Sequence, residues 1–404
     1  MTRRINTEVI TFYLLLVLLI VPNYFLRFVF WLKSFFTSTA PLLKNMTMSL
    51  EEQLTRNYRD EGGYAAGYGH YDSVWTRDSF FALLAPVSQK EERLRKLVNR
   101  LRKDANKEHQ VPFTYAEVAY IPSIILGRKV LRSGGAKARY YDEKLGQPVL
   151  DANAQYIIML HEAFLLNNNV EWLRTHATQV DLSLSWYEQF VSSKSDGMID
   201  AELPHAGWED SLLHTGTVAY TNFFYLEALK RADLIREALD MPTKWVSQIA
   251  ALHPKIMNLV RDQRDTVTMS VAALWTKDPE VTEWMRSMVQ DYPKDTLTPN
   301  RWPIAPLSHE LLVFRLIGQE GYHRTFRWSW VGCLWAVALQ HRGLVKEART
   351  VFSRYEALFA RYGTVHEVYD PETSTPVSRT FYQSEPCFSE GMGTFLLAKK
   401  RLSK

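Results

Sequence analysis

The chain has 404 residues, of which 46% are hydrophobic and 23% charged, and its formal net charge is +4. This balance is that of a folded globular protein and excludes a disordered chain. Two cysteines are too few for a disulfide framework or a cysteine-based zinc site.

The N-terminal region is strongly apolar. An apolar stretch runs from Val9 to Val21, pauses at Pro22 and resumes to Leu32. The first part is shorter than the roughly 20 residues that a membrane-spanning helix needs, although tilt or a few further residues supply the length. Because no small-residue cleavage site follows directly, we expect residues 9–32 to be an uncleaved membrane anchor. A removed signal peptide and an amphipathic interfacial segment are the alternatives.

The charges around this segment leave its orientation open, because Arg3 and Arg4 precede it but further basic residues follow it. Asn45-Met46-Thr47 is a glycosylation sequon, which fits a body in the secretory lumen or outside the cell. We therefore expect a single-pass membrane protein with an anchor and stalk over residues 1–45 and one domain over residues 46–404.

The basic run from Lys90 to Lys107 is the densest in the chain. It alternates with apolar residues at helical spacing (Leu94, Leu97, Val98 and Leu101). This spacing predicts a helix with one buried stripe and a solvated basic face, so we expect no nucleic-acid partner.

The remaining patterns are helical nearly throughout. Residues 172–186 form a long amphipathic region, and residues 245–259 share one face, although Pro254 must kink or split that helix. Residues 344–359 give the clearest helical periodicity, whereas residues 364–369 are the best candidate strand. About a dozen helices fit, and since no solenoid-type repeat is present, an all-α closed double ring of helix hairpins is favoured over a solenoid.

Two stretches in the first half combine rings with charged groups. In Trp75-Thr76-Arg77-Asp78-Ser79-Phe80-Phe81, Arg77 and Asp78 offer donors and acceptors to ligand hydroxyls, or Asp78 simply lies near a helix N-cap. In Gly207-Trp208-Glu209-Asp210-Ser211, packing raises the pKa of one carboxyl, as a general acid requires. The alternative is a solvated acidic cap before a helix at residues 217–232.

Two further stretches lie near the C-terminus. In Tyr322-His323-Arg324-Thr325-Phe326-Arg327-Trp328, two cations lie among rings, either to hold a substrate or as cation–π packing. Glu367, in the candidate strand, is a candidate base that activates water, or else an ordinary exposed glutamate. Tyr382-Gln383-Ser384-Glu385 and Phe388-Ser389-Glu390-Gly391 follow it.

These stretches resemble, in order, the motifs of the (α/α)6 glycosidases, a group that includes glucoamylases, trehalases, processing α-glucosidases, mannosylglycerate hydrolases and the glucosidase of glycogen debranching enzyme. WTRDSFF resembles the sugar-holding WTRDS of glucoamylases. GWEDS is similar to the GWDxS of trehalases and to the WEE of glucoamylases, which carry the general acid. YHRTFRW resembles YWRGPxW, and HEVYDPETSTPV is similar to the segment that carries the general base. The resemblance spans about residues 60 to 400.

The resemblance implies an (α/α)6 toroid and an inverting hydrolase of α-glycosides, in the first place of α-glucosides. Glu209 would be the acid, because most of these families place it directly after the aromatic residue, but the WxD pattern of debranching-type relatives would choose Asp210. Glu367 would be the base. No metal or organic cofactor is needed. The residues expected to bind the sugar are Trp75, Arg77, Asp78, Trp208, Arg324, Trp328 and Glu385.

The sequence also departs from these families. Thr325 and Phe326 replace Gly and Pro of YWRGPxW, and Glu390 stands near the place of a final tryptophan. Two other functions therefore stay open: a sugar-binding barrel without turnover, and a barrel enzyme of another class such as an epimerase or lyase. Product analysis separates these, because hydrolysis must release a free reducing sugar. Nothing in the sequence specifies an oligomeric state.

Overall fold

The computed structural model describes residues 48–403, except 121–122, 124–128, 133–134, 192–195, 292–296 and 380–381, and also describes Leu14, Val17 and Leu18. The expected anchor at residues 9–32 therefore lies outside the described residues apart from these three, and so does the sequon at residues 45–47. Within the described residues, no helix has both the length and the apolar character needed to cross a membrane.

Two kinds of helix alternate along the chain. Outer helices bury one stripe, and inner helices are buried on most sides. In chain order they are α1 (Leu50–Asn57, outer), α2 (Thr76–Ala82, inner), α3 (Lys90–Lys103, outer), α4 (Ala152–Asn167, inner), α5 and α6 (Val170–Arg174 and Ala177–Ser185, outer), α7 (Ala219–Ala238, inner), α8 (Val246–Gln263, outer), α9 (Thr266–Trp275, inner), α10 (Glu280–Gln290, outer), α11 (Leu312–Leu316, short), α12 (Ser329–His341, inner), α13 (Val345–Tyr362, outer) and α14 (Ser389–Leu402, inner).

The apolar pattern of each helix decides its layer. Residues 329–339 of α12 are all buried, whereas α13 buries only Ala348, Phe352, Tyr355, Leu358 and Phe359, at the predicted helical spacing. A helix that is apolar all round belongs inside, and a helix with a single stripe covers it. The basic helix α3 likewise buries the predicted stripe.

The inner helices form a closed ring. Helix α2 contacts α4, α4 contacts α7, α7 contacts α9, α9 contacts α12, α12 contacts α14, and α14 returns to α2. Since the ring closes on itself, the predicted double ring of hairpins is the observed architecture, and the solenoid alternative is wrong.

Some predicted boundaries differ from the structure. Pro254 neither splits nor ends helix α8, which runs through it. The region at residues 172–186 is two short helices followed by a 3-10 turn at Trp186–Phe190. Of the candidate strand at residues 364–369, only the last two residues form a strand, β7 (Val368–Tyr369).

Short strands, of which the sequence indicated only β7, join the loops where inner helices begin. Antiparallel strands β1 (Val74–Trp75), β2 (Thr114–Ala116) and β3 (Lys137–Arg139) form one sheet, with Trp75 opposite Thr114. Strands β4 (Ala201–His205) and β5 (His214–Gly216) form a second sheet, and β6 (Arg327–Trp328) pairs with β7. Because β1 leads into α2 and β6 into α12, these sheets hold the loops at one end of the ring.

Candidate active site

A cavity lies at the end of the ring where α2, α12 and α14 begin. Its lining combines carboxyl groups, cations and aromatic rings. The carboxyls include Asp78, Asp210, Glu367 and Glu390, and the rings include Trp75, Trp208, Trp328, Trp330 and Phe388. Sequence stretches far apart in the chain therefore meet at one place, as their resemblance to a single site implies.

Arg77, in the first turn of α2, lines this cavity, and a carboxylate outside the cavity lining fixes its guanidinium. Its Nε donates to Asp151 Oδ2 at 2.7 Å, and that carboxylate also accepts a hydrogen bond from the Tyr220 hydroxyl at 2.9 Å. Such a charge-assisted bond fixes the plane of the guanidinium. In the described part of the chain Arg77 makes no other side-chain hydrogen bond, so its two Nη groups remain for a ligand.

One wall of the cavity is aromatic. Trp208 meets Trp328 and Trp330 edge-on, and His323 stacks on Trp328 with ring centroids 4.7 Å apart. The Trp208 indole N–H donates to Asp265 at 3.2 Å, which fixes its ring. Burial lowers the pKa of His323 to about 3, so this ring is neutral. Flat rings of this kind suit the apolar face of a cyclic ligand.

Asp210 points into the cavity beside a buried lysine. Lys144 Nζ lies 2.7 Å from Asp210 Oδ2 and 3.4 Å from Asp142 Oδ2. Burial is the largest single effect and would raise the pKa of Asp210, but the charge and hydrogen bond of Lys144, together with further cations such as Arg77, lower the pKa below its ordinary value. Asp210 is therefore ionised in the free site.

Glu209 faces a different, smaller cavity behind Trp208. It is 1% exposed, its Oε2 lies 2.7 Å from Arg301 Nη2, and His214 and Asp265 line the same space. Burial raises the pKa of Glu209 to about 8, against the lowering effect of Arg301. The raised pKa that the sequence predicted for one of the two carboxyls thus belongs to the residue that does not line the main cavity.

Glu367 lines the main cavity, and its carboxylate accepts hydrogen bonds from two tyrosines. The Tyr382 hydroxyl donates to Oε2 at 2.6 Å, and the Tyr322 hydroxyl donates to Oε1. Its backbone is fixed as well, because Ser329 N donates to Glu367 O at 3.0 Å and Glu367 N donates to Glu385 O at 2.9 Å. Burial raises the pKa of Glu367 well above its ordinary value, and the two tyrosine bonds counteract this.

Behind Tyr322 the hydrogen bonds continue. Tyr71 and Tyr322 hydroxyls are 2.5 Å apart, Tyr71 and Tyr120 hydroxyls 3.2 Å, and Tyr120 donates to Gln319 at 3.0 Å. A connected buried network holds its members in one arrangement. Glu367 thus lies at one end of a hydrogen-bonded network that holds its side chain in place.

Two residues expected to bind substrate are engaged elsewhere. Arg324 does not line the cavity; its Nε donates to Ala305 O at 2.8 Å, and Nη1 lies 3.6 Å from Glu310. Glu385 does not line it either; it accepts from the Gly69 N–H, and His70 Nδ1 lies 3.0 Å from its Oε2. It therefore anchors the loop at residues 67–70 beside the cavity.

Several cavity features were missed by sequence reasoning. Lys144 lies in no motif, and Tyr71 and Tyr120 carried no signal. Tyr322 and Tyr382 were inside the noted stretches without an assigned role, and only their proximity to Glu367 identifies one.

The fold belongs to a known class. No family model matches the chain and no curated protein is similar to it in sequence, but solved structures of glycoside hydrolases have the same architecture. The predicted likeness to (α/α)6 glycosidases is confirmed at the level of the fold.

A GH63 mannosylglycerate hydrolase from Thermus thermophilus, in complex with glucose, superposes with a TM-score of 0.59 at 13% identity over 86% of this chain and 98% of its own. A structure described as a wild-type glycosidase gives 0.54 at 12% identity over 88% and 95%. A rhamnose-bound rhamnosidase from Klebsiella oxytoca gives 0.55 at 12% identity over 90% and 66%.

Proposed function

We propose that the protein is an inverting glycoside hydrolase that cleaves an α-glycoside, in the first place an α-glucoside. One observation carries the proposal: Asp210 and Glu367, from segments that resemble the acid and base motifs, line one cavity together with Arg77, Asp78 and an aromatic wall. The glucose and D-glycerate complexes of the Thermus hydrolase support a carbohydrate as ligand.

In this reaction Asp210 gives its proton to the glycosidic oxygen as the bond to the anomeric carbon breaks. A water attacks that carbon from the opposite face of the ring, and Glu367 takes the proton that the water loses. The products are the free alcohol and a sugar of inverted configuration. Arg77 and Asp78 hold the sugar, and Trp75, Trp208 and Trp328 contact its faces. The acid is assigned to Asp210 and not to Glu209, because a general acid must reach the leaving oxygen.

The charges in the free site favour the opposite distribution of protons, because Lys144 keeps Asp210 ionised and burial favours protonated Glu367. The reactive form, with the proton on Asp210, is thus a minor one. Because these charges do not identify the acid and the base, the two roles are assigned from the rates of variants on two types of substrate.

Asp210→Asn should lose most activity on natural glycosides and keep more on activated aryl glycosides, whose leaving groups need little protonation. Glu367→Gln should lose activity on both, because the water stays unactivated. Rates of the two variants on the two substrate types are the measurement, with Glu209→Gln as the matched control.

Each other outcome reassigns a role. If Glu367→Gln alone is rescued by aryl leaving groups, the acid and base roles are exchanged. If Glu209→Gln behaves as predicted for Asp210→Asn, the acid is Glu209. Sugar binding without release of a reducing sugar by the parent would support the binding-protein alternative.

We also propose that residues 9–32 anchor the protein in a membrane, with residues 46–404 as the catalytic domain on the lumenal or extracellular side. Leu14, Val17 and Leu18 are helical, exposed and spaced to share one helix face, which supports an apolar contact surface. Retention in the pellet after alkaline carbonate extraction, with a glycosidase-sensitive mass shift at Asn45, is expected. Full extraction would contradict the anchor, and absence of the shift the lumenal side.

A further inference from the structure

Glu390 is a buried acid for which the proposed reaction has no use. It lies in the first turn of α14, lines the cavity and is 3% exposed. Its Oε1 is fully buried, and no hydrogen-bond partner for it exists in the described part of the chain. An unpaired buried carboxyl oxygen is costly to folding, so its presence beside a cavity points to a ligand.

The packing of two inner helices places Glu390 near Asp78. A Cβ on Gly393 of α14 would lie 2.5 Å from Ala82 Cα of α2, so the two helix backbones pack in direct contact at this point. Both helices begin at the cavity, and Asp78 and Glu390 each lie about one turn before this contact. The two carboxyls therefore project into the cavity from adjacent helix starts.

Each nearby cation already has a carboxylate of its own. Arg77 is paired with Asp151 at 2.7 Å, and Lys144 with Asp210 at 2.7 Å. Burial raises the pKa of Asp78 to about 7, and burial followed by the charge of Asp78 raises that of Glu390 well above its ordinary value. Adjacent carboxyls in such a place do not both ionise at neutral pH.

We propose that Asp78 and Glu390 share one proton and form a subsite for the hydroxyl groups of a neutral sugar ring. The protonated member donates a hydrogen bond and the ionised member accepts one, which matches a hydroxyl that does both. An ammonium group only donates, and the carboxylate of a uronic acid only accepts and is repelled. This inference rests on the proposed function for the identity of the ligand as a sugar.

The other charges that act on the pair are few. Arg77, on α2, stabilises the ionised form; Asp151 before α4, Asp210 in its loop and Glu367 before β7 oppose it. None of them differs between the parent and a Glu390 variant, so a comparison of the two isolates the pair.

The test is the affinity of the full-length protein for D-glucose, measured by ligand-observed NMR at pH 6 and pH 9. In the parent, affinity should fall about tenfold at pH 9, because the pair loses its proton and with it one hydrogen-bond donor. Glu390→Gln should hold the pH 6 affinity at both pH values, since an amide keeps its donor. Glu390→Leu should bind about tenfold more weakly than the parent at pH 6.

The control is Glu227→Gln, which changes a buried carboxylate paired with Lys230 at 2.7 Å outside the cavity lining; it should follow the parent. Thermal unfolding of each variant shows that it is folded. Equal pH dependence in the parent and Glu390→Gln, or full affinity in Glu390→Leu, would overturn the inference.

Free glucose reports binding without turnover. A parent that binds glucose with the expected pH dependence but hydrolyses nothing would overturn only the proposed hydrolase function. A parent that hydrolyses an α-glucoside but binds no glucose at pH 6 would overturn only the proposed subsite.

Discussion

At the scale of single residues, Lys144 sets the charge of the proposed acid. It is 5% exposed on its side chain and contacts two carboxylates. Replacing it with methionine leaves Asp210 buried without its cation, so the pKa of Asp210 should rise. Because the reactive form pairs a protonated Asp210 with an ionised Glu367 and Asp210 has the lower pKa of the two, the pKa of Asp210 sets the acidic limb of the pH profile.

Lys144→Met should therefore move the acidic limb of the kcat/KM profile to higher pH. Lys230→Met, which removes the partner of a buried carboxylate outside the cavity lining, should leave the limb in place. An unmoved limb in Lys144→Met, or one moved to lower pH, would show that Asp210 is not the titrating acid.

Tyr382 affects the other limb. Its hydrogen bond to Glu367 favours the carboxylate, so Tyr382→Phe should raise the pKa of Glu367. Because Glu367 has the higher pKa of the two, its pKa sets the alkaline limb, which should thus move to higher pH. Tyr187→Phe, which removes a buried hydroxyl bonded at 2.6 Å to Leu150 O away from the cavity, is the matched control. Equal profiles for Tyr382→Phe and the parent would exclude this tyrosine from positioning the base.

The sequence motifs identified many residues of this site, but not the directions in which their side chains point. Trp75, Arg77, Asp78, Trp208, Trp328 and Glu367 were predicted and line the cavity. The choice between Glu209 and Asp210 depends on how one turn aims two adjacent side chains, and no pattern of residue types specifies that. The positions of Lys144 and Tyr71 depend on contacts between distant segments, which have no local signature.

At the scale of elements, the close contact between α2 and α14 positions two of the cavity carboxyls. Gly393→Ala places a Cβ 2.5 Å from Ala82 Cα and 2.8 Å from Ala82 O, so one helix must shift. Overpacking against backbone should cost about 1–3 kcal/mol of unfolding free energy, seen as a lower Tm.

Gly207→Ala is the control for stability, because its Cβ would meet Tyr220 at an ordinary 3.8 Å. A Tm for Gly393→Ala equal to that of the control would mean that α14 does not pack on α2 as described.

Helix periodicity was predictable where one face meets water, as in α3 and α13. The inner helices carry apolar residues on every face, so their limits follow from packing and not from period. Two-residue strands such as β1 and β6 form only because other segments bring their partners together, and therefore local sequence gives them little signal, whereas β7 lies within the predicted strand at residues 364–369.

At the scale of the whole molecule, the ring of inner helices closes without any residue before Met48. Helix α1 already packs on α14. A protein lacking residues 1–45 should thus be soluble and unfold cooperatively, as followed by circular dichroism and size-exclusion chromatography. An aggregated or unfolded product would place part of residues 1–45 inside the domain.

Closure of the ring was predictable from the number of helices and the absence of a repeat. The substrate was not, because glycosidases with this fold and 12–13% identity have different names and ligands.

Hydrolysis with inversion by Asp210 and Glu367 is tested most directly by proton NMR of the sugar released from an α-glucoside, recorded before mutarotation. With inversion, the β-anomer should appear first and the α-anomer only later, by equilibration. Initial release of the α-anomer would contradict it, because retention requires a covalent intermediate in place of a water activated by Glu367.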